Sequence, residues 1–407
     1  MECPIPDWLT KQFLSDCLQD IEGKKADVTN FRVSPAGPPG SSYGSCLIRV
    51  KIEYRLGTED RTHCLSLIIK SELTGPTKDL VDPFCEPAFY KKFLPEASKL
   101  TDTSFVPRIF FSPYFTTIVM EDLQEQGFIM ADKGKQLDFD HCKLYMVTVA
   151  KLHAVSFAVH KKHPELVESM GKEKLFSEDR ITSLVFKRMI CGGLASMAEA
   201  TEKLDRFKHY SKLIKDTSAK LWEMLMAAHK PSKVLNTLNH GDPWIPNIMF
   251  KYDDEGFVSN IKLLDFQASR YGSPINDLAF FIWTSANSDV RGNRLHELYD
   301  IYLDTFNDKL KQLNCTESLT HESLMENMKR LSPLAIFSVG IIHPNLDNSA
   351  QVDLGLFYKE NNDNEVKMFY DRYYNAIYVN GHFSKCMEHL ESAGVFEHLE
   401  KYISSQK

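Results

Sequence analysis

The chain has 407 residues, which is too long for one compact hydrophobic core and favours two lobes or domains. Its apolar fraction of 43% and charged fraction of 25% are those of an ordinary globular protein. The net charge of −7, without a basic stripe broken by aromatic residues, argues against a nucleic-acid partner.

Nine cysteines are scattered along the chain without CxxC pairs. This pattern predicts free thiols in a reducing compartment, and neither a disulfide framework nor a zinc site. The N-terminus has no basic segment followed by an apolar run, and no apolar stretch in the sequence approaches membrane-spanning length. We therefore predict a soluble, cytoplasmic protein that has no membrane partner and is a monomer.

The first predicted element is a helix starting near Pro6 and Asp7, since six apolar residues follow at helical spacing: Trp8, Leu9, Phe13, Leu14, Cys17 and Leu18. A loop rich in Pro, Gly and Ser comes next. Two strands then follow, separated by the turn "LGTED". The first is marked by alternating apolar residues from Cys46 to Tyr54, and the second, "THCLSLIIKSEL", carries Lys70 near its end.

The stretch "DPFCEPAFYKKFLPEASKL" predicts a helix broken at Pro95, and "PRIFFSPYFTTIVMEDL" predicts two short strands. We place a nucleotide-binding lobe at residues 1–120, a hinge at 121–130 and a helical catalytic and substrate lobe at 131–407. The predicted fold class is α+β, with a small β-rich lobe and a large, mostly helical one.

The segment "LNHGDPWIPNIMF" contains the chemistry of the second lobe. Asp242 and Asn247 are five residues apart, and Asp265 ends the apolar strand in "IKLLDFQ". Asn247 and Asp265 offer the oxygen ligands that hold Mg²⁺ beside phosphate, and Asp242 suits the deprotonation of a hydroxyl group. Pro243, Trp244 and Pro246 stiffen the intervening loop. This set of residues is typical of phosphoryl transfer from ATP.

The first lobe should supply the nucleotide site. Lys70 suits contact with the α- and β-phosphates of ATP, and Glu86 on the next helix suits an ion pair with Lys70. The loop "GSSYGS", residues 40–45, would cover the phosphates. It lacks the full GxGxxG spacing, so Ser42 and Ser45 are predicted to donate hydrogen bonds from their side chains.

Several motifs, in order and at familiar spacings, resemble the ecdysteroid-kinase-like family of insects: "GSSYGS", "LIIKSEL", "CEPAFYKKFLP", "VMEDL", "VAKLHAVSF", "NHGDPWIPNIMF", "LLDFQ" and "NDLAFFIWTS". The family belongs with choline kinases and aminoglycoside phosphotransferases, so the resemblance implies a bilobal protein-kinase-like fold. It also implies ATP- and Mg²⁺-dependent phosphorylation of a small-molecule hydroxyl group.

The resemblance further implies individual roles. Asp242 corresponds to the catalytic base, Asn247 and Asp265 to the metal ligands, and Lys70 with Glu86 to the phosphate-binding pair. The hinge strand would pair with adenine through backbone groups, and its residues include Met120, Glu121 and Leu123. Ser42 stands where the family commonly has Asn, which affects the loop contacts rather than the reaction class.

Two alternatives to a small-molecule kinase need separate tests. A protein kinase is disfavoured because the stretch from Asp265 to Asp277 is too short for a long activation loop. A kinase-like protein that binds ligands with little catalysis stays open. The resemblance points to ecdysteroids or to xenobiotic and plant alcohols as acceptors, hence to detoxification as one role.

Other residues have structural interpretations. His240 and His153 are predicted to be buried and hydrogen-bonded, and Asp277 to cap a helix and brace the catalytic loop. The aromatic residues between 331 and 379 are either an apolar wall for a lipophilic acceptor or simply core.

Overall fold

The computed structural model describes residues 6–19, 26–37, 45–72, 85–178, 181–346, 355–359 and 362–405. The predicted phosphate loop falls almost wholly outside these ranges. Ser42 lies outside the described residues, as does the side chain of Ser45, whose backbone begins a strand.

Two compact units make up the chain. The first comprises Met1–Ile129 and Met249–Gln267, and the second Met130–Ile248 and Ala268–Lys407. The first unit therefore includes a hairpin that the predicted division assigned to the helical lobe. The second strand of this hairpin is anchored to the first unit by a hydrogen bond, 2.8 Å long, from the Leu263 backbone N–H to the Phe105 carbonyl.

The first unit is built on a five-stranded antiparallel sheet of order β1-β2-β3-β5-β4. Its strands are β1 Ala26–Pro35, β2 Ser45–Leu56, β3 His63–Glu72, β4 Ile109–Phe110 and β5 Ile118–Glu121. The order makes β3 the central strand. The hairpin consists of β8 Ile248–Tyr252 and β9 Val258–Leu263, after the short strands β6 Ile129–Met130 and β7 Thr237–Asn239.

One face of this sheet packs on helix α1, Lys11–Cys17. The helix begins later than predicted because the Thr10 hydroxyl caps it, accepting a hydrogen bond from the Phe13 backbone N–H at 3.2 Å. Phe13 and Leu14 of α1 share a hydrophobic core with Leu67 and Ile69 of β3. The side chain of Lys70 is on the opposite face, since strand residues alternate.

The helix that carries Glu86 continues through Pro95, contrary to the predicted break. It runs as α2 Cys85–Ala88, a π-helical turn Phe89–Phe93 and α3 Leu94–Ser98. Pro95 lies in the first turn of α3. A proline is tolerated at such a position because its missing N–H is not needed there, and the π turn restarts the hydrogen-bond pattern just before it.

The second unit is mainly helical. Its helices in the described residues are α4 Phe139–Lys162, α5 Pro164–Met170, α6 Ile181–Glu202, α7 Ser211–Ser218, α8 Leu221–Ala228, α9 Ile275–Ser285, α10 Leu295–Gln312, α11 His321–Arg330, α12 Ser332–Phe337, α13 Gly355–Tyr358, α14 Asp363–Tyr373, α15 Ala376–Tyr378, α16 Ser384–Ser392 and α17 Val395–Ser405. A two-stranded sheet joins β7 to β10, Arg270–Gly272. The predicted α+β class, with one β-rich and one helical unit, is confirmed.

Helix α4 corrects the expectation that no apolar stretch approaches membrane-spanning length. By length and composition it is apolar enough to cross a membrane. However, 72% of its apolar window is buried inside the protein, as in the core helix of a globular unit. Such a helix is weak evidence for a membrane span.

The proposed apolar wall in the C-terminal region turns out to be mostly core. Ile336, Val339 and Tyr370 are fully buried, and the Tyr374 hydroxyl donates to the Gly340 carbonyl at 3.2 Å. Because these side chains are buried, the sequence pattern here reflects the core of the helical unit.

Candidate active site

Lys70 lies in the middle of the sheet of the first unit. It faces Leu47 of β2 on one side and Ile118 of β5 on the other. Only 7% of the residue is exposed. An ordinary surface lysine would lie on an edge strand with its ammonium group in water, so burial at the sheet centre indicates a specific electrostatic role.

Two carboxylates surround the Lys70 ammonium group. Its Nζ lies 2.6 Å from Oε2 of Glu86 and 2.8 Å from Oδ1 of Asp265. The three side chains come from the central strand, the following helix and the end of the hairpin, and all belong to the first unit. The predicted Lys70–Glu86 ion pair is thus present, and Asp265 joins it as a second partner.

Burial and charge act in opposite directions on this cluster. Burial lowers the pKa of Lys70, but the two neighbouring carboxylates outweigh it and raise that pKa, so the lysine stays an ammonium ion. Burial is also the largest influence on Glu86, raising its pKa to about 7 against the opposing effect of Lys70. One ammonium group cannot fully compensate two carboxylates, and an additional cation near Asp265 would relieve the imbalance.

Asp265 is the residue of the cluster with access to solvent, since 26% of its side chain is exposed. Its backbone is left-handed, with φ of 66°, a conformation that Asp tolerates better than most residues. Oδ1 is bonded to Lys70. The other carboxylate oxygen, Oδ2, is the atom suited to a metal ion.

The sequence analysis did not predict the aromatic stack that lies next to the Lys70 cluster. Phe266, the neighbour of Asp265, stacks on Phe89 with ring centroids 3.6 Å apart and planes 7° apart. Both rings are fully buried. The Cys85 thiol also donates to the Phe266 carbonyl at 3.6 Å. The stack therefore fixes the hairpin end against the helix of Glu86, and the Phe in "LLDFQ" was the available signal.

In the second unit, Asp242 and Asn247 are in direct contact. The Asn247 side-chain Nδ2 donates to the Asp242 carboxylate Oδ2 and to the Asp242 carbonyl, both at 2.9 Å. The spacer forms a tight 3-10 turn, Ile245–Asn247, that returns Asn247 toward Asp242. Since both hydrogen bonds leave from Nδ2, the amide oxygen of Asn247 faces elsewhere and suits a metal ion.

Gly241 permits the loop 240–247, which carries Asp242 and Asn247, to lie close to the backbone of Ala268. Its φ is +88°, and an added Cβ would lie 1.9 Å from the Ala268 carbonyl oxygen. Only glycine fits such a position. Arg270 holds the same segment through a 2.8 Å bond from Nη2 to the Gly241 carbonyl.

Asp277 braces this loop from helix α9. Its carboxylate accepts the backbone N–H of His240 at 2.7 Å and that of Gly241 at 2.9 Å. Burial opposes ionisation of Asp277, but the bond from His153 and these backbone donors hold its pKa below the ordinary value. The predicted bracing role agrees with these bonds. The prediction that Asp277 caps the helix is wrong, because the N-cap residue of α9 is Pro274.

His153 orients Asp277 in turn. Its Nε2 donates to Asp277 Oδ2 at 3.1 Å, and its Nδ1 is hydrogen-bonded to the Tyr302 hydroxyl at 2.9 Å. His153 is fully buried, as predicted. His240 is also buried, and its Nδ1 accepts the Asp242 backbone N–H at 3.3 Å. Neither histidine is free to act as a base.

The predicted hinge, with Met120, Glu121 and Leu123, lies at the end of β5 and beyond it. Glu121 donates its backbone N–H to the Arg108 carbonyl at 3.0 Å, and its carboxylate lies 3.4 Å from Lys262 Nζ. Asp122 caps the 3-10 turn that follows and pairs with Arg49 at 2.6 Å. These bonds hold the segment rigidly, while its predicted contact with adenine stays a prediction.

The predicted site residues thus fall into two groups. Lys70, Glu86 and Asp265 meet in the first unit, and Asp242 and Asn247 meet in the second. The metal site predicted from Asn247 and Asp265 together stays a prediction, as do the contacts of Ser42 and Ser45.

Comparison with known proteins identifies a family. The model of the Ecdysteroid kinase-like family matches residues 39–315, which are 277 of the 407 residues. This match covers all five residues of the two groups and confirms the resemblance found in the sequence. No curated protein matches the chain.

Among solved structures, the chain is similar to a choline kinase from Cryptosporidium parvum, with 14% identity and a TM-score of 0.43 over 96% of this chain and 94% of that one. It is similar to an ethanolamine kinase from Plasmodium vivax, with 15% identity and a TM-score of 0.40 over 87% and 83%. A macrolide 2'-phosphotransferase from Brachybacterium faecium has 14% identity and a TM-score of 0.38 over 84% and 99%. Likeness at this level says nothing about the substrate of this chain.

The ion cluster predicts coupled effects on stability. Lys70→Met should lower the free energy of unfolding by about 3–5 kcal/mol, because it leaves two carboxylates near each other without a counter-ion. Glu86→Gln should lower the free energy of unfolding by less than Lys70→Met does. The double variant should differ from the sum of the single effects by more than about 0.5 kcal/mol. Urea unfolding of the four proteins measures this coupling.

Lys51→Met is the matched control, because Lys51 lies on the adjacent strand β2 and pairs with Glu125 at 2.8 Å with both side chains exposed. It should change the free energy of unfolding by about 1 kcal/mol or less. Strict additivity of Lys70→Met and Glu86→Gln, or a Lys70 effect as small as that of Lys51, would contradict the cluster.

The brace on the catalytic loop predicts a local effect. Asp277→Asn replaces one acceptor oxygen by an N–H donor that faces the loop amides. Bonds to charged groups contribute about 1.5–3 kcal/mol, so amide hydrogen exchange at His240 and Gly241 should accelerate about 10- to 100-fold. Asp300→Asn, at an exposed position of α10, should leave exchange there unchanged. Equal protection in Asp277→Asn and the parent would refute the brace.

Proposed function

This chain belongs to the ecdysteroid kinase-like family, and we propose that it is a small-molecule kinase. It transfers the γ-phosphoryl group of ATP to a hydroxyl group, yielding ADP, a phosphate monoester and one proton. The observation that carries the proposal is the buried Lys70, which pairs with Glu86 at 2.6 Å and with Asp265 at 2.8 Å.

The Lys70 cluster supports the binding of a nucleotide. A lysine held by a carboxylate on the following helix presents its charge to the α- and β-phosphates at little cost in side-chain ordering. The hinge residues Met120, Glu121 and Leu123 would bind adenine through their backbone groups. Ser42 and Ser45 would donate to the phosphates from the loop over them.

Asp242 is the group assigned to the acceptor. Its carboxylate orients the substrate hydroxyl and takes its proton as the new P–O bond forms and the bond to the ADP oxygen breaks. The hydrogen bond from Asn247 to Oδ2, at 2.9 Å, orients the carboxylate for this role. Gly241 and the brace from Asp277 keep the loop in place for this role.

We propose that Asp265 and Asn247 hold a magnesium ion, because each has an oxygen atom of the right chemical type. Asp265 offers Oδ2, because Oδ1 is bonded to Lys70, and Asn247 offers its amide oxygen, because Nδ2 is bonded to Asp242. Both are hard oxygen ligands of the kind that Mg²⁺ prefers. The ion would neutralise charge on the phosphate oxygens, and it would also add positive charge beside the two carboxylates that pair with Lys70.

For the acceptor we propose a lipophilic alcohol, either an ecdysteroid or a xenobiotic or plant metabolite. Family membership supports this class, and it makes hormone inactivation or detoxification the biological role. We further propose that the enzyme acts as a monomer in the cytoplasm. The seven cysteines whose side chains the structure describes are all free thiols, which suits a reducing compartment.

The test is phosphate transfer from labelled ATP to a panel of alcohols. We expect steroid, phenolic and glycosidic alcohols to be phosphorylated in preference to choline or aminosugars. Asp242→Asn should keep ATP binding and lose about 10²–10⁴-fold or more in turnover, because both the base and the positioning of the hydroxyl are removed.

Asp254→Asn is the control for charge removal, since Asp254 is exposed at the hairpin turn. It should retain full turnover. If Asp242→Asn kept most of the activity, the assignment of the base would fail. If no alcohol were phosphorylated while ATP still bound, the chain would be a kinase-like ligand-binding protein. A cationic alcohol turned over faster than every apolar one would overturn the acceptor class.

A further inference from the structure

Three side chains with metal-binding atoms meet in the helical unit, apart from the residues assigned to phosphoryl transfer. They are His343, at the start of the 3-10 turn His343–Leu346, His382, in the π-helical turn Val379–Phe383, and Cys386, in α16. All three belong to the second unit. His382 and Cys386 are four residues apart on one helical run and therefore share a face.

The spacing of the ligand atoms suits one small ion. Nδ1 of His343 lies 2.8 Å from Nε2 of His382 and 3.3 Å from Sγ of Cys386. All three atoms lie within 4.8 Å of one another. Bond lengths of about 2.0–2.1 Å to nitrogen and 2.3 Å to sulfur in a tetrahedral site separate ligand atoms by about 3.3–3.6 Å. Shifts of a few tenths of an ångström at His343 would reach that geometry.

A hydrogen bond at Nε2, on the side of the ring away from His382 and Cys386, fixes the orientation of His343. Its Nε2 is hydrogen-bonded to the Trp283 backbone carbonyl. A carbonyl can only accept, so Nε2 carries the hydrogen and Nδ1 presents its lone pair toward His382 and Cys386. This arrangement, in which the outer nitrogen donates to a carbonyl, is the one that orients metal-bound histidines.

A buried arginine next to Cys386 provides an independent argument. Arg291 is 5% exposed, and its partners within the described residues are neutral: the Ala286 carbonyl, Gln136 Oε1 at 3.4 Å and Cys386 Sγ at 3.8 Å. A buried guanidinium without a carboxylate is costly. A thiolate at Cys386 would supply the anion, and metal binding is what converts a buried thiol into a thiolate.

The protonation states agree with this interpretation. Burial, with the nearby Arg291, holds the pKa of His343 well below its ordinary value and that of His382 at about 4. Both imidazoles are therefore neutral at pH 7, the form that binds metals. Burial raises the pKa of Cys386 against the effect of Arg291, so its thiol keeps its proton until a metal ion arrives.

We propose that His343, His382 and Cys386 bind one Zn²⁺ ion, with water as the fourth ligand. Two imidazoles and a thiolate are borderline-to-soft ligands that select Zn²⁺ over Mg²⁺, which prefers oxygen. Binding forms the Zn–S bond and releases the thiol proton to solvent. The hydrogen between the two rings moves from Nε2 to Nδ1 of His382, which leaves Nε2 to bind the ion and gives a net release of one proton.

The ion would join two parts of the helical unit that are distant in sequence. His343 follows the helical run 332–342, and the other two ligands belong to the run 376–392. Because the unfolded chain offers no preformed site, the ion would stabilise the fold by linkage. None of the three ligands is assigned to phosphoryl transfer, so the role of the ion would be structural.

The experiment measures zinc directly on the full chain. Protein stripped by a chelator and reloaded with Zn²⁺ should retain about one ion per chain after desalting and release about one proton per ion. Cys386→Ser and His382→Gln should each lose the ion. Loading with Co²⁺ instead should give a thiolate-to-cobalt charge-transfer absorption band in the parent and none in Cys386→Ser.

Cys315→Ser is the matched control, since Cys315 is also a buried free thiol of the second unit. It should keep both the zinc and the cobalt band. No retained zinc in the parent, retention undiminished in Cys386→Ser, or a cobalt complex without the thiolate band would overturn the proposal. If Cys386→Ser failed to fold, the cobalt spectrum of the parent and the His382→Gln variant would decide the question.

Discussion

The buried ammonium group of Lys70 is the charge around which the first unit is arranged. It lies at the centre of the sheet, out of water, and is stabilised there by Glu86 and Asp265. Each partner comes from a different element, so the strand, the helix and the hairpin end must all be correctly placed for the charge to be compensated. The Phe89–Phe266 stack supplies the apolar contact that keeps the helix and hairpin together. Within the described residues, the arrangement sets two carboxylates beside one ammonium group, and this excess of negative charge favours a metal ion.

The second unit also contains a buried charge, here the carboxylate of Asp277, which is stabilised by hydrogen bonds. Asp277 is inaccessible to solvent, and its carboxylate is satisfied by His153 and by two consecutive backbone N–H groups. The loop 240–247 is thereby fixed by charge-assisted bonds to its backbone N–H groups and not through the side chains of Asp242 and Asn247. Gly241 allows the loop to lie against the Ala268 carbonyl, where any side chain would collide. In both units buried charges hold the segments that carry the candidate site residues.

Much of the site could be predicted from local sequence because its chemistry depends on short motifs. The Lys70–Glu86 order carried enough information to predict an ion pair that the structure contains. The Asp242–Asn247 spacing identified two candidate residues that meet, but it did not predict the hydrogen bond between them. Packing between residues distant in sequence was harder to predict. Apolar periodicity is the same for a pocket wall and for a core, so the buried Tyr370 region was open to both interpretations. The cap at Thr10 and the π turn before Pro95 depend on single hydrogen bonds that periodicity does not contain. The His343 cluster was missed because its first ligand is 39 residues from the second, and cysteine spacing alone indicated no zinc site.

The central claim is that the Lys70 cluster serves to bind a nucleotide together with Mg²⁺. The most direct measurement is the melting temperature of the full chain with ATP, in the presence and absence of Mg²⁺, for the parent and for Lys70→Met. Binding to the folded state alone stabilises it by about 2.7 kcal/mol at a ligand concentration 100-fold above Kd. We predict a clear rise for the parent with ATP and Mg²⁺, a much smaller rise with ATP alone, and none for Lys70→Met. Equal stabilisation with and without Mg²⁺, or an undiminished response in Lys70→Met, would contradict the account.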